Sequence, residues 1–224
     1  ARGPSFESDP CMEPSRYDAW YHTPKGSWIS DRETALMLRL LQPSSGKSLL
    51  DVGSGTGHFT RRFADVGLRV TGLEPDPGML DFSRCKHPDF SFVRGDARKL
   101  PFGDGRFDFV AAVTSLCFVS NPETALKEMW RVARSGVLVG LLNRKSLLYR
   151  RRAGKGGYID ARWDSLSTVK TWGALLDPPV GIWRWGTAVF LSDGTTSARI
   201  LESCLPSCLP WGGFLAAFWG KNMS

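Results

Sequence analysis

Five short, almost uninterrupted apolar runs separated by segments of helical character constrain this chain more than any other feature of its sequence. The runs are Ser48–Val52, residues 68–73, residues 90–93, Phe107–Val113 and residues 137–142. Each is the length of a strand and too apolar to have one face in water, so each predicts a strand covered on both sides. Residues 57–66 open from a glycine turn, residues 75–86 from a proline-rich turn, and residues 122–133 from Asn121 as N-cap with Pro122 in the first helical position. In the last segment Ala125, Met129, Val132 and Ala133 share one face, while Glu123, Lys127, Glu128 and Arg131 fall largely on the other. Strand and helix alternate, which predicts an α/β fold: a doubly wound, mostly parallel sheet with helices on both faces.

The flanks are less regular. Residues 30–41 read as a helix stopped by Pro43, and residues 17–26 as an aromatic, turn-rich flap. Past Asn143, the expectations are a short helix near 167–176, strands near 183–191 and 213–219, and the last strand as a hairpin-like addition at the edge. Residues 1–14 hold three prolines and no apolar pattern, predicting a disordered end. The remainder, 15–224, reads as one domain: flap 15–42, core 45–142 and a C-terminal part 143–224.

Composition narrows the setting. No apolar stretch approaches a membrane span and the start lacks a signal-peptide core, which points to a cytoplasmic protein with no membrane partner. The odd set of five cysteines reads as reduced thiols, and Cys204 with Cys208 lacks the further ligands a closed metal site requires, so no metal is expected. The formal charge of +7 is local: Arg131, Arg134, Arg144, Lys145, Arg150, Arg151, Arg152 and Lys155 fall in an acid-free stretch, leaving −1 for the rest. Such a run suits a solvated face, or alternatively RNA, anionic lipid or an acidic substrate.

The segment with chemical content is 49–58, LLDVGSGTGH, a buried strand entering a glycine-rich turn and then a helix. Gly53, Gly55 and Gly57 let backbone approach a ligand at the carboxyl end of the sheet. Counted from Gly53, the third glycine of the dinucleotide fingerprint would fall on His58, so that match fails. Asp51 beside the turn would repel a pyrophosphate and favour a cationic ligand. Glu74 ends the next strand 21 residues after Gly53, a placement suited to ribose hydroxyls, and Pro75 follows it. After the third strand Asp96 could accept from an adenine amine and the Ala97 amide could serve a ring nitrogen, with Leu73, Met79 and Phe102 as walls for the base.

The blocks LLDVGSGTGHFT, VTGLEPDPGML, GDARKLPFGDGRFDFV and ETALKEMWRVARSGVLVG, in this order over residues 45–142, resemble the class I S-adenosylmethionine (SAM)-dependent methyltransferases, in particular the small type 11 group. The resemblance implies a Rossmann-like, seven-stranded sheet whose terminal strand runs antiparallel. It implies SAM as cofactor and S-adenosylhomocysteine (SAH) as product. It further implies that Asp51, Gly53, Ser54, Gly55 and Gly57 surround the methionine part, that Glu74 holds the ribose, and that Asp96 and Ala97 read adenine. Thr114 and Ser115 would line the methionine side, and a flap carrying Tyr17 and Tyr21 would close over the cofactor. Where the family usually has Pro-Gly-Gly before the fifth strand, this chain has Ala133-Arg134-Ser135-Gly136, which leaves that turn open.

Methyl transfer from an activated sulfonium requires alignment first, and a base only for a protonated acceptor. His22, His58 and His87 are the histidines, of which His22, in the flap, is the strongest base candidate; no catalytic residue is assigned. Six of nine tryptophans follow residue 160, where an aromatic-walled pocket for a small apolar or cationic acceptor could form. A small-molecule methyltransferase is therefore the leading expectation. The alternatives are an RNA methyltransferase using the 144–155 run and a non-catalytic SAM- or SAH-binding regulatory protein. The oligomeric state is left open.

Overall fold

The computed structural model describes residues 13–222, so residues 1–12 of the segment expected to be disordered, Cys11 among them, lie outside the described residues, while Glu13 and Pro14 begin the first helix. The order is α1 (Pro14–Tyr21), α2 (Pro24–Leu41), β1 (Ser48–Val52), α3 (His58–Ala64), β2 (Arg69–Glu74), α4 (Pro77–Lys86), β3 (Ser91–Arg94), β4 (Phe107–Val113), α5 (Pro122–Val132), β5 (Ala133–Leu142), α6 (Leu147–Arg152), α7 (Leu166–Ala174), β6 (Val180–Ala188), α8 (Thr196–Cys204) and β7 (Phe214–Lys221). Polar side chains cap several of the helices: Asp76 accepts from the Met79 amide at 2.8 Å, Asn121 from Thr124 at 3.2 Å and Ser146 from Tyr149 at 3.1 Å.

The seven strands form one sheet in the order β3-β2-β1-β4-β5-β7-β6, with the first five parallel and β7 antiparallel to both neighbours. The doubly wound sheet with a reversed last strand is as expected. Alternate residues feed two cores. Val137, Val139 and Leu141 of β5 meet Met129, Trp130, Val169 and Trp172 on one face, while Leu138 meets Met37, Leu40, Phe59 and Phe63 on the other. The chain reverses direction of travel across the sheet between β1 and β4, the position at which open α/β sheets bind ligands, at the carboxyl ends of the strands.

Several local expectations are corrected. The flap is helical: α1 and the first turns of α2 occupy residues 17–26, with Thr23 accepting from the Gly26 amide at 3.0 Å between them. No turn separates α5 from β5, because Ala133 leaves the helix with extended backbone and pairs at once with Phe107. Ala133 thus belongs to a strand rather than to the helix face. The last strand is no edge addition, since β7 inserts between β5 and β6 and pairs with both. Helices α6 and α8 had no counterpart in the sequence reading. No described helix is long and apolar enough to cross a membrane.

Candidate functional site

The loop leaving β1 is shaped by left-handed glycines: Gly53, Gly55 and Gly57 have φ of 74°, 53° and 81°. The Gly53 and Ser54 amides donate to the Leu73 carbonyl at 2.7 and 3.1 Å, tying the loop to β2. A Cβ on Gly53 would overlap Ser115 Cβ, and one on Gly57 would lie 2.7 Å from His87 Cδ2. Above Gly55 there is room, with Tyr17 Cε1 at 4.0 Å from where a Cβ would stand. The loop is therefore a cradle that side chains would fill.

Two carboxylates face this cradle. Asp51 is 1% exposed and accepts from Thr60 Oγ1 at 2.7 Å; burial, with a contribution from the Glu74 charge, pushes its carboxyl up to about 7. Glu74 is buried as well, and burial raises it despite the amides of Asp76 and Gly55 that it accepts from. Neither acid has an ion-pair partner among the described residues. Ser54 Oγ is buried with no partner. This donor set fits a ligand with hydroxyls and positive charge, as the adenosyl, ammonium and sulfonium parts of SAM supply, and disfavours a diphosphate.

The flap closes on the loop through stacked rings. Tyr17 Oη and Tyr21 Oη are 2.9 Å apart, and Tyr21 stacks on His58. His58 Nε2 meets Ser30 Oγ at 2.6 Å, and burial lowers its imidazole to about 3, so the ring is a neutral anchor and no proton acceptor at working pH. His22 is exposed, 3.4 Å from Asp18. All three histidines line a cavity of about 380 Å³ together with Arg61, Arg62 and Lys86, on the surface formed by the flap, α3 and α4.

The remaining expected residues are placed as follows. Asp96 is exposed, and both its oxygens are engaged by Arg98, whose guanidinium holds the carboxyl below its usual range. Ala97 and Leu73 are buried, the latter completely, so Leu73 is core rather than a free wall, and Phe102 packs edge-on against Phe107 at 5.0 Å. Met79 is half-buried in the first turn of α4 and Pro75 is exposed. Thr114 follows β4 at φ 54°, a strained conformation for a β-branched residue, held by its amide on the Gly140 carbonyl at 2.8 Å. Ser115 Oγ donates to the Val52 carbonyl at 2.6 Å, joining β4 to the start of the glycine loop. The arginines at 150–152 are exposed on α6, and Cys204 and Cys208 are exposed.

Sequence reasoning missed Glu33. It lies on the same side of α2 as Ile29, Ser30, Met37 and Leu40, all buried, and an acid in such a stripe is a readable signal. It also missed Tyr158, in a single turn at Gly156–Tyr158 that no periodicity announces.

A family model described as a methyltransferase domain matches residues 50–140. A demethylmenaquinone methyltransferase of Renibacterium salmoninarum is 43% identical over 91 residues, 41% of this chain and 38% of the relative. A malonyl-[acyl-carrier protein] O-methyltransferase of Serratia marcescens is 36% identical over 94 residues, 42% of this chain and 37% of the relative. The chain thus spans well under half the length of these curated relatives. A crystal structure of a SAM-dependent methyltransferase from Thermotoga maritima, described as a possible histamine N-methyltransferase, superposes with a TM-score of 0.68 at 25% identity, covering 93% of this chain and 95% of that one. With the glycine cradle, its two acids and this sheet order, residues 50–140 match the type 11 methyltransferase domain, and the fold is that of the SAM-dependent methyltransferases.

Proposed function

We propose that the chain transfers the methyl group of SAM to a small-molecule acceptor, releasing SAH. The observation that carries this reading is the pair of buried carboxylates, Asp51 and Glu74, without ion-pair partners at a left-handed glycine loop covered by Tyr17. SAM supplies a methyl already activated as an electrophile by its sulfonium. The work left to the chain is to bind, orient and exclude water. Asp51, fixed by Thr60, holds the ammonium end; Glu74 accepts from the ribose hydroxyls; Ser54 Oγ gives a further polar contact. Asp96, Ala97, Pro75 and Met79 border the adenine, and Thr114 the methionine side. The helical flap, 15–42, shields the cradle, and residues 143–224 form the acceptor side.

The names of the relatives, for demethylmenaquinone and malonyl-[acyl-carrier protein], support a small acceptor over a nucleic acid. The test is calorimetry with SAH and, separately, with NADH. Heat with SAH alone is expected, and heat with NADH alone refutes the reading. Turnover of SAM to SAH with a small acceptor separates an enzyme from a regulatory SAH-binding protein. RNA binding that weakens steeply with salt would instead favour the exposed arginines of α6 as a nucleic-acid face.

A further inference from the structure

The acid-free run from Arg144 to Lys155 lies on an excursion of the chain, residues 144–164, that leaves and rejoins the sheet at the carboxyl end of β5. The Arg144 amide donates to the Asp164 carbonyl at 2.8 Å and closes it, and the rings of Tyr149 and Tyr158 each pack on Trp163 with centroids 5.4 Å apart. Two other segments are bonded to its base. Asn143 Nδ2 donates to the carbonyls of Pro210 and Gly212 at 2.9 and 2.8 Å, gripping Trp211 from both sides. Arg162 donates to the carbonyls of Leu116, Cys117 and Val119 at 2.8, 2.8 and 3.0 Å, fixing the turn that carries Phe118. All three segments adjoin the end of the sheet at which the glycine loop stands, because they follow β4, follow β5 and precede β7.

Six cations of the excursion, Arg144, Lys145, Arg150, Arg151, Arg152 and Lys155, are exposed, and among the described residues none makes a side-chain hydrogen bond or an ion pair. Elsewhere in the fold arginines are paired, Arg62 with Asp31, Arg98 with Asp96 and Arg131 with Glu128. Of the excursion's two acids, Asp164 is buried on Arg162 and Asp160 is exposed, so the positive charge stands nearly unopposed. Apolar side chains are exposed on the same three segments: Phe118 and Trp211 at 58%, Ile159 at 61%, and Leu147. One such side chain needs no explanation; four on segments bonded together around six unpaired cations make a face of two chemistries. RNA would take the arginines, but bases stack on flat rings and give Leu147 and Ile159 no partner. A bilayer with anionic headgroups takes both, with the cations at the phosphates, the aliphatic chains in the acyl boundary and tryptophan at the interface. We propose that this face is a peripheral docking surface for an anionic lipid bilayer. The expectation of no membrane partner rests on the lack of an apolar span, which bears on crossing a bilayer and not on lying against one. The docking does not depend on the cofactor chemistry, and it turns the glycine-loop end of the sheet toward the lipid.

The test is co-flotation of the whole chain with phosphatidylcholine vesicles prepared with and without phosphatidylglycerol, at roughly 0.15 M salt. Binding is expected to the anionic vesicles and to be at least about tenfold weaker to the neutral ones. Replacing Arg150, Arg151 and Arg152 together by Gln should weaken the anionic binding at least about tenfold. The pair Ile159→Ser and Trp211→Ser should weaken it several-fold while the charge is unchanged, which a purely electrostatic contact would not show. All five side chains are exposed, so both variants should melt as the wild type does. No binding to anionic vesicles, equal binding to neutral ones, or either variant binding as the wild type overturns the docking surface. Binding to an RNA oligonucleotide but not to the vesicles overturns it in favour of nucleic acid. Calorimetry with SAH reads the cofactor site separately, so failure of the docking and failure of the methyltransferase reading are distinguishable.

Discussion

Glu74 Oε2 accepts the Gly55 amide at 2.8 Å while Oε1 accepts the Asp76 amide at 3.0 Å, so one side chain at the tip of β2 locks both the glycine loop and the start of α4. Each oxygen keeps a free lone pair for a ribose hydroxyl. Glu74→Ala is expected to cost SAH binding about 1 to 3 kcal/mol, read by calorimetry. Glu74→Gln should retain part of it, because the amide oxygen still accepts. An unchanged affinity in the alanine variant would remove Glu74 from the ribose site.

Asp51 gives the binding reaction a pH dependence of known sign. Its carboxyl is raised to about 7 by burial, so the free protein carries a proton there below that pH. A cationic ligand favours the ionised form, and binding must expel the proton. Affinity for SAM should therefore rise with pH and level off above about 7, with uptake by buffer of the released proton visible as heat that depends on the buffer. Affinity that falls over the same range would place the positive end of the ligand elsewhere.

Where sequence and structure agree, the reason is local. The Asp51-to-Gly57 turn and Asn121 with Pro122 each carry their conformation in their own side chains and backbone freedom, and both stand where they were expected. Where they part, the deciding contact is remote. Ala133 continues a helical pattern, but pairing with Phe107 of β4 draws it into a strand. The insertion of β7 between β5 and β6 depends on two long crossings that no single segment encodes. His58 is in the sequence one of three candidate histidines, and its burial, stacked on Tyr21 from 37 positions away, makes it a neutral anchor.

Two glycines of similar backbone and different surroundings separate strain from steric overlap. Gly46 has φ 81° and nothing within 4 Å of where a Cβ would stand, whereas Gly53 has φ 74° and Ser115 in the way. Gly46→Ala should cost about 1 kcal/mol for the left-handed backbone alone. Gly53→Ala adds an overlap with backbone-anchored atoms and should cost about 2 to 4 kcal/mol, with loss of SAH binding. Urea denaturation of the two variants checks the difference; equal midpoints would mean that Ser115 yields freely.

His58 should make the flap sensitive to acid. Its ring centroid lies 3.7 Å from that of Tyr21, with planes 10° apart, and burial lowers the imidazole from 6.5 to about 3. A base whose folded pKa is depressed contributes stability that is present above the unfolded value and lost as pH falls, here from about 6.5 toward 3. Asp51 and Glu33 act in the opposite sense, since acids raised to about 7 and about 8 gain stability as they take up protons over the same interval. The wild-type curve therefore mixes opposing slopes, and the difference from His58→Phe, which keeps a ring against Tyr21, isolates the imidazole. Thermal melts between pH 7.5 and 4 should show the variant gaining on the wild type as pH falls. Parallel curves would mean that the imidazole is already free to protonate in the folded protein, and that α1 is held over the glycine loop by other contacts.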